Sequence, residues 1–483
     1  MGQQKVLVAS KEDVFAAINS GAAATSRPLL IALIALGGTF VDAYDFTALG
    51  IGALQLKTQF HLTSFELGSL TASMAFGALL GALIGGYFTD KIGRFKMFAL
   101  DLILFVVSAI AAALAPNLVW LIVFRLLMGF GVGLDFPVAL SFVAEFSSTN
   151  RKSRLVQGWQ TMWYSAATIG FLLLLGVHFL GVNADLWRYA VGFGALPALI
   201  VLVLRYRYMD ESPMWLASCG DLHGAVKVLN KSYGMDAEVA MGLQSNVATM
   251  PTHTVSPLRA EKVLFTPRYR PRTILAGVIG FTQSMEYFAL GFYLPTIIGL
   301  LFGKNLNTVL WASALFNVFG IVGALINLAT TNRLGLRRMC FIGYSGVILV
   351  MGSIGIFGHG APATFTAVAL IVFIGLHSYG QGSAGMSMGA LSYPTAIRGI
   401  GAGFTQSIIR VGSISGFYFF PVVVAAYGLY HTTLLLMLVP IAGLIVTMII
   451  KWEPVGKNIE EEEVDLDRAL AAGERTMPMR EDS

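Results

Sequence analysis

The sequence predicts an all-α membrane protein whose twelve transmembrane helices form two similar six-helix bundles. Of its 483 residues, 56% are hydrophobic and only 12% are charged, whereas a soluble domain carries about 25% charged residues. Twelve segments are long and apolar enough to cross a bilayer, which takes about 20 residues per helix. Two motifs also recur at one fixed spacing in the two halves of the chain.

Proline, glycine and charged residues divide the apolar sequence into the predicted spans. Their boundaries are 29–54, 65–88, 97–115, 117–143, 156–181, 188–208, 273–301, 307–330, 339–357, 362–390, 399–426 and 429–450. The spans group into an N-terminal bundle (29–208) and a C-terminal bundle (272–451). A short N-terminal tail (1–28), a polar linker (209–271) with a short amphipathic helix near 221–233, and a C-terminal tail (452–483) complete the predicted organisation.

The positive charges predict the orientation. Five alternate loops carry Lys and Arg residues, whereas the opposite loops offer only Lys57, Arg188 and Lys304. Because positively charged loops stay in the cytoplasm, both termini are predicted to be cytoplasmic. The predicted outer loops contain no Asn-x-Ser/Thr site, which agrees with a bacterial inner membrane.

The repeat consists of two motifs. GGYFTDKIGRFKMF (85–98) follows the second span and ATTNRLGLRRMCF (329–341) the eighth, and their glycines, Gly93 and Gly335, are 242 positions apart. DESPMWL (210–216) follows the sixth span and WEPVGKNIEEEE (452–463) the twelfth, and Glu211 and Glu453 are again 242 positions apart. The common offset predicts two halves built from one repeated unit.

These motifs resemble those of the major facilitator superfamily, and the resemblance covers residues 29–463. The loop Gly86-x-x-x-Asp90-Lys91-x-Gly93-Arg94-x-Lys96 resembles the superfamily signature. The run Arg125-x-x-x-Gly129 with Pro137 and Glu145, together with Glu211-Ser212-Pro213, resembles the sugar porters. Asp42-Ala43-Tyr44-Asp45 and Arg410-x-Gly412 resemble organic-acid:proton symporters, so the nearest likeness is to bacterial metabolite transporters that combine both patterns.

Two positions depart from the superfamily pattern. Leu391 stands where the second half should repeat the acid of Glu145, and Asn332 replaces the aspartate of the second signature loop. We therefore expect the C-terminal half to hold its cytoplasmic gate less tightly than the N-terminal half.

Charged residues inside the predicted spans indicate a transport pathway, because a charge in hydrocarbon needs a partner or a water-filled cavity. Helical rise places Asp45 and Arg125 at depths that differ by about 6 Å, and the resemblance to sugar porters implies that they pair. If the partner moves during transport, the pair couples transport to a proton, because the partner favours the ionised acid and burial the protonated one. A fixed strut between two helices is the alternative.

Two further aspartates accompany this pair. Asp42 precedes Asp45 by three residues and faces nearly the same side of the helix. It shares Arg125, binds a substrate hydroxyl or ammonium group, or only accepts a hydrogen bond. Asp135 is either a proton relay or the partner of a neighbouring helix.

Arg410 is the candidate substrate ligand. It lies about 18 Å along its helix from Arg398, near the midplane, where transporters of this kind bind substrate. Its guanidinium either binds a carboxylate of the substrate or is neutralised by Glu286. Gln283, Glu286 and Tyr287 share one helix face, and the resemblance to sugar porters points to Gln283 as a substrate contact. Further candidates for the cavity lining, with packing as the alternative for the aromatic residues, are Gln160, Trp163 and Tyr164.

The signature loop predicts a cytoplasmic gate. The resemblance implies that Asp90 caps the eleventh helix and that basic residues bind nearby acids; the alternative is a loop that only sets the orientation. The acidic run 460–463 is predicted to be solvated. The predicted gate residues are Gly86, Asp90, Lys91, Gly93, Arg94, Glu145, Arg151, Glu211, Arg333, Arg337 and Arg398.

The predicted function is import of a small polar metabolite with protons by alternating access, and an organic acid or sugar-derived acid is favoured over a neutral sugar. No zinc-spaced Cys/His cluster, hydrolase elbow or phosphate loop occurs, so we predict no enzyme activity, no metal and no cofactor. The predicted partners are substrate, proton and lipid bilayer, without nucleic acid, for a monomer. The alternatives are a sugar or polyol transporter, uncoupled or proton-coupled, and a membrane nutrient sensor with the same fold.

Overall fold

The computed structural model describes residues 6–20, 28–182, 185–240, 262–303 and 305–462. The N-terminal half contains β1 (Val6–Val8), α1 (Lys11–Asn19), α2 (Pro28–Ala35), α3 (Gly37–Gln59), α4 (Ser64–Ile92), α5 (Arg94–Ala113), α6 (Leu118–Glu145), α7 (Thr149–Phe179), α8 (Leu186–Phe193) and α9 (Ala195–Tyr208). The connecting segment contains α10 (Pro213–Ser218), α11 (Leu222–Tyr233) and β2 (Ala237–Val239). The C-terminal half contains α12 (Arg270–Leu290), α13 (Leu294–Phe302), α14 (Leu306–Leu334), α15 (Leu336–Phe357), α16 (Ala363–His377), a π-helical turn (Ser378–Gly382), α17 (Ser383–Leu391), α18 (Thr395–Leu436) and α19 (Leu438–Ile449).

The helices provide the predicted transmembrane spans. Within the described ranges, ten helical segments are long and apolar enough to cross a membrane, or eleven when α2 and α3, bent by 41°, form one span. One of these segments, Thr395–Ile449, has 55 residues and is about 80 Å long by helical rise, far more than the about 30 Å of a bilayer core. Gly428, at φ 76°, breaks it into two spans, so the twelve-helix fold predicted from the sequence is present.

Glycines set the closest helix contact in the N-terminal half, between α4 and α6. A Cβ atom on Gly77 would lie 2.0 Å from the carbonyl oxygen of Leu126, and one on Gly129 would lie 1.9 Å from that of Met74. The two backbones therefore touch directly, as small residues permit in membrane helices. This seam fixes the height of the loop after α4 relative to α6.

The repeated motifs meet in both halves. Glu211 accepts hydrogen bonds from the first two backbone N–H groups of α5, at 2.9 and 3.1 Å. Glu453 likewise accepts a 2.9 Å bond from the second N–H group of α15. Gly93 (φ 104°) and Gly335 (φ 78°) lie against these carboxylates, where a Cβ atom would come within 2.4 Å of an oxygen. The common offset in the sequence thus corresponds to one helix cap built twice.

The described part of the predicted N-terminal tail contains secondary structure. β1 pairs in parallel with β2 of the connecting segment, and Val8, Phe15 and Ile18 are buried. The helix α11 lies where the sequence predicts an amphipathic helix, with Asp221 at its N-cap. The strands form the one departure from an all-α fold among the described residues.

Candidate functional site

An ion pair joins α3 and α6 inside the N-terminal half. Arg125 Nη1 lies 2.5 Å from Asp45 Oδ2, and both side chains are fully buried. Arg125 Nη2 contacts the sulfur of Met74 at 3.3 Å. Asp45 Oδ1 and Arg125 Nε have no hydrogen-bond partner within the described ranges. The pair implied by the resemblance is therefore present here, with one carboxylate oxygen free to take a proton.

Asp42 does not share Arg125, contrary to one expectation. Its side chain is buried, and Oδ2 has no hydrogen-bond partner in the part of the chain that the structure describes. No hydrogen bond joins it to the guanidinium of Arg410 on α18 among the described residues. Of the two aspartates, Asp45 binds Arg125, and Asp42 keeps a buried carboxylate oxygen without a partner in the described ranges.

Asp135 belongs to a buried cluster of charges around Arg205. Arg205 Nη1 lies 2.6 Å from Asp135 Oδ1 and 3.4 Å from Asp101 Oδ2. Arg205 also donates a 2.7 Å hydrogen bond to the carbonyl oxygen of Ala35. This geometry favours the alternative in which Asp135 links neighbouring helices, and its role as a proton relay stays a prediction.

Arg410 presents a buried cation at the interface of the two halves. Its three guanidinium nitrogens have no hydrogen-bond partner among the described residues, and the residue is 1% exposed. Its Cζ atom lies 5.3 Å from the ring centroid of Phe136 and 5.9 Å from that of Phe46, both in the N-terminal half. Ring faces stabilise a guanidinium but leave its hydrogen-bonding capacity unused.

Buried glutamine side chains of α18 and α7 also carry unpaired amide groups. Gln406 lies one helical turn before Arg410, on the same face, and neither its amide nitrogen nor its amide oxygen has a partner among the described residues. On α7, the predicted ligand Gln160 has an unpaired oxygen and Gln157 an unpaired nitrogen within the same ranges. Gln157 Oε1 accepts a 3.3 Å hydrogen bond from Ser387 of α17.

Gln406 and Gln157 were missed by the sequence analysis. Their spacing was a usable signal, because Gln406 lies four residues before Arg410 and Gln157 three residues before Gln160, each on the same helix face.

Glu286 is not the partner of Arg410, which corrects a second expectation. Its Oε1 atom lies 2.7 Å from His377 Nδ1 and accepts a 2.6 Å hydrogen bond from Gln381 Nε2. Gln283 bonds back to the carbonyl oxygen of Gly280 in its own helix, at 3.3 Å. The three residues predicted to share one face therefore have different surroundings, and sequence analysis missed both partners of Glu286.

Aromatic residues join α7 to α12. Trp163 Nε1 donates a 2.8 Å hydrogen bond to the hydroxyl of Tyr287, which crosses between the two halves. Tyr164 packs edge-on against Tyr287, with ring centroids 6.0 Å apart, and a Cβ atom on Gly320 would lie 2.3 Å from its ring. Packing is therefore the better account of Tyr164.

The signature loop holds the opposite half of the molecule. Asp90 accepts hydrogen bonds from the backbone N–H groups of Gly399 (3.3 Å) and Ile400 (3.0 Å) near the start of α18. Arg94 pairs with Asp90 at 3.0 Å and with Glu145 at 2.7 Å. Burial raises the pKa of Asp90, which lies beyond the candidate span, to about 7, because it outweighs the effect of Arg94. These contacts close the side of the molecule predicted to be cytoplasmic.

The C-terminal segment completes this gate. Glu460 pairs with Arg398 and with Lys152 Nζ, the latter at 3.2 Å, and it accepts a 3.0 Å hydrogen bond from the N–H group of Thr395. Arg398 also lies 3.5 Å from Glu145. Burial opposes ionisation of Glu460, but Arg398 and Lys152 outweigh it and lower its pKa to about 2. The expectation that this part of the acidic run is solvated is wrong.

Other predicted gate residues lie outside the ion-pair network. Arg151 is exposed, and its neighbour Lys152 takes the place expected for it. Lys91 and Arg333 are also exposed. Arg337 donates to the carbonyl oxygen of Thr447 at 3.0 Å and so holds the end of α19. Gly86 lies within α4.

Comparison with known proteins identifies the family. The family model described as "Sugar (and other) transporter" matches residues 30–466. The chain belongs to this transporter family. It is therefore a multi-pass membrane transporter of the major facilitator superfamily and not an enzyme, as the sequence motifs predicted.

Individual relatives agree with this assignment. The chain is 30% identical over 434 residues to the inner membrane metabolite transport protein YgcS of Escherichia coli K12, covering 89% of this chain and 92% of that protein. It is 28% identical to a D-xylose transporter of Levilactobacillus brevis, covering 77% of this chain and 81% of that protein. The proton:xylose symporter XylE, solved with 6-bromo-6-deoxy-D-glucose, has the same fold, with a TM-score of 0.74 at 20% identity over 91% of this chain and 99% of that chain.

Proposed function

We propose that the transporter imports a small hydroxylated carboxylate, such as a sugar-derived acid, together with a proton, across a bacterial inner membrane. The observation that carries the substrate class is the unpaired guanidinium of Arg410. A fully buried cation in a membrane protein costs several kcal/mol without a counter-charge. Glu286 is engaged by His377, and the guanidinium of Arg410 has no hydrogen-bond partner among the described residues, so a substrate carboxylate is the partner that this site lacks.

The unpaired amides of α18 and α7 support a substrate that also carries hydroxyl groups. Gln406, Gln157 and Gln160 each leave a buried donor or acceptor unpaired among the described residues. Buried polar groups are normally hydrogen-bonded, and each unpaired one is costly. A polyhydroxylated acid offers both donors and acceptors to these side chains, and its carboxylate offers two oxygens to the guanidinium fork.

Proton coupling is assigned to Asp45. In the closed arrangement its carboxylate is held by Arg125 at 2.5 Å. If opening toward the other side separates the two groups, burial of an unpartnered carboxylate favours its protonated form. Protonation of Asp45 is then linked to the conformation of the carrier, which is the requirement for driving uptake with a proton gradient.

A binding experiment on the purified full-length protein tests the substrate class. The thermal midpoint is measured with an aldonate and with the alditol of the same chain length as a matched neutral ligand. The aldonate should raise the midpoint in the wild-type protein and lose this effect in Arg410→Gln. Stabilisation by the alditol but not by the aldonate would contradict the proposal and favour a neutral sugar or polyol as substrate.

Transport distinguishes the remaining alternatives. In lightly buffered cells, uptake with protons raises the external pH, whereas an uncoupled facilitator leaves it unchanged. Counterflow in proteoliposomes establishes turnover, which a membrane sensor lacks. Substrate-dependent alkalinisation together with counterflow supports the proposed symport. Counterflow at an unchanged external pH would indicate an uncoupled facilitator, and an absence of counterflow would indicate a sensor.

A further inference from the structure

A second buried acid lies in the C-terminal half, on a helix that does not contribute to the Asp45–Arg125 pair. Glu286 of α12 is completely buried. Its Oε1 atom contacts His377 Nδ1 at 2.7 Å and Gln381 Nε2 at 2.6 Å. Within the described ranges its Oε2 atom has no partner, and no Arg or Lys side chain forms an ion pair with it. The imidazole is therefore its titratable counterpart.

The charge of this pair depends on one proton. With the proton on either His377 or Glu286, the pair has no net charge. Without it, a carboxylate remains in the membrane interior with Gln381 as its one certain hydrogen-bond donor. Because burial of an uncompensated charge is costly, the closed arrangement holds the proton. Access of water lowers that cost and permits its release.

Among the residues that the structure describes, the surroundings of the pair contain no other charge that replaces the proton. Tyr287 stacks on the imidazole of His377, with ring centroids 5.4 Å apart and an interplanar angle of 22°. The other titratable groups that face Glu286 are Tyr164 of α7 and Tyr344 of α15. All of these groups are uncharged phenols in their ordinary form, so the proton balance rests on Glu286 and His377.

The site is connected to the interface between the halves. The hydroxyl of Tyr287 accepts the 2.8 Å hydrogen bond from Trp163 on α7, so the ring stacked on His377 is held from the N-terminal half. Gln381 lies in the π-helical turn Ser378–Gly382, where Gly380 has non-helical angles (φ −102°, ψ −109°). Single π-helical turns within helices are frequent at functional sites.

We propose that Glu286 and His377 form a second proton-binding site, shared by Glu286 Oε1 and His377 Nδ1 and filled in the closed arrangement. The proposal deepens the proposed function, on which it rests, by giving each half of the symporter its own protonatable acid. The proton is exchanged with water when the carrier opens, and no other bond is made or broken.

Proton titration and pH-dependent infrared difference spectra of the full-length protein in lipid vesicles test the site without a substrate. Glu286→Gln should release one proton fewer per chain and lose one protonated-carboxyl component of the spectrum, and Glu286→Asp should restore it. In His377→Gln the carboxyl component should change in frequency, because the acid has lost its imidazole partner at 2.7 Å. Asp185→Asn, which removes a carboxylate that is 53% exposed, is the matched control and should leave the component unchanged.

An unchanged proton count and an unchanged carboxyl component in Glu286→Gln would overturn the second site, whatever Asp45 does. Failure of the proposed function has a separate signature. In that case Asp45→Asn leaves uphill accumulation intact, whereas the Glu286 component is still present in the spectra.

Discussion

Glu460, in the segment after the last transmembrane helix, pairs with Arg398 near the start of α18. The resemblance to the superfamily implies an acid at position 391, the equivalent of Glu145 in the second half, and Leu391 stands there instead. Glu460, which lies 62 positions along the chain from Arg398, supplies a carboxylate to this arginine instead. It also binds Lys152 of the N-terminal half at 3.2 Å, so the C-terminal segment fastens both halves together.

Glu460→Gln should therefore weaken closure of this side. Removal of one partner from a buried ion pair costs about 3–5 kcal/mol, and the loss falls on the closed arrangement because the contact crosses the two halves. Spin labels on exposed positions 91 and 338 report the separation of the halves, and their distance distribution should shift to longer values in the variant.

Glu461→Gln is the matched control, because Glu461 is exposed and bonds only to Asn458 among the described residues, at 3.1 Å. It should leave the distance distribution unchanged. Equal distributions for Glu460→Gln and the wild type would show that the C-terminal segment does not hold the gate.

Asp45→Asn should abolish uphill accumulation of substrate while exchange of preloaded substrate continues. The variant keeps a side chain of nearly the same size beside Arg125 but can no longer exchange a proton. Accumulation and exchange are measured on the same proteoliposomes, with and without an imposed pH gradient. Asp210→Asn, which changes an aspartate of the connecting segment that pairs with Lys231, serves as the control. Unimpaired accumulation in Asp45→Asn would leave the ion pair as a strut.

Arg410→Lys should retain the charge of the site and still weaken binding of the acid substrate by about 10-fold or more. An ammonium group cannot present two parallel N–H donors to a carboxylate. One charge-assisted hydrogen bond is worth about 1.5–3 kcal/mol, which sets the expected size. The apparent affinity for the aldonate in counterflow measures this loss of binding.

Gln406→Leu should weaken the binding of hydroxylated acids more than that of unsubstituted acids of the same length. This difference separates the contribution of the amide from that of the guanidinium.

Local periodicity and the repeat were sufficient to predict several of these contacts. Helical rise and the resemblance predicted that Asp45 pairs with Arg125, as the structure shows. The offset of 242 residues predicted that Glu211 and Glu453 are equivalent positions of the repeat. The contact of Glu460 with Lys152 joins residues 308 positions apart, for which the sequence has no periodic signal. His377 and Gln381 were missed because the π-helical turn changes the register that a regular helix would predict.

Closure of the gate should depend on pH through Asp90. Its pKa is about 7 in the closed arrangement, and it should return toward the ordinary value of about 3.9 when the loop faces water. At pH values between these two pKa values, closure of the gate is therefore accompanied by protonation of Asp90. Raising the pH from about 4 to about 7 should disfavour the closed arrangement by at most about 1.4 kcal/mol per pH unit.

The spin-label distance between positions 91 and 338, followed across this pH range, measures the effect. Glu460, with a pKa of about 2, stays ionised throughout and does not contribute. Asp90→Asn should remove the dependence on pH while retaining an oxygen that accepts the N–H groups of Gly399 and Ile400. A pH dependence that survives in Asp90→Asn would assign it to another group.

Gly93→Ala and Gly335→Ala should destabilise the two halves in the same way, because both glycines have positive φ and each lies against the carboxylate that caps the next helix. With ψ of 161° and 158°, both positions lie in a backbone region essentially confined to glycine, where an Ala residue costs about 1–3 kcal/mol. The displaced carboxylate also loses hydrogen bonds to the first turn of the helix. Gly220→Ala is the matched control, since Gly220 (φ 84°) has no neighbouring atom within 4 Å of an added Cβ, and it should show the backbone cost alone. Thermal unfolding of the three variants measures the difference. A loss at Gly93 and Gly335 no larger than that at Gly220 would show that the caps contribute nothing beyond the turn itself.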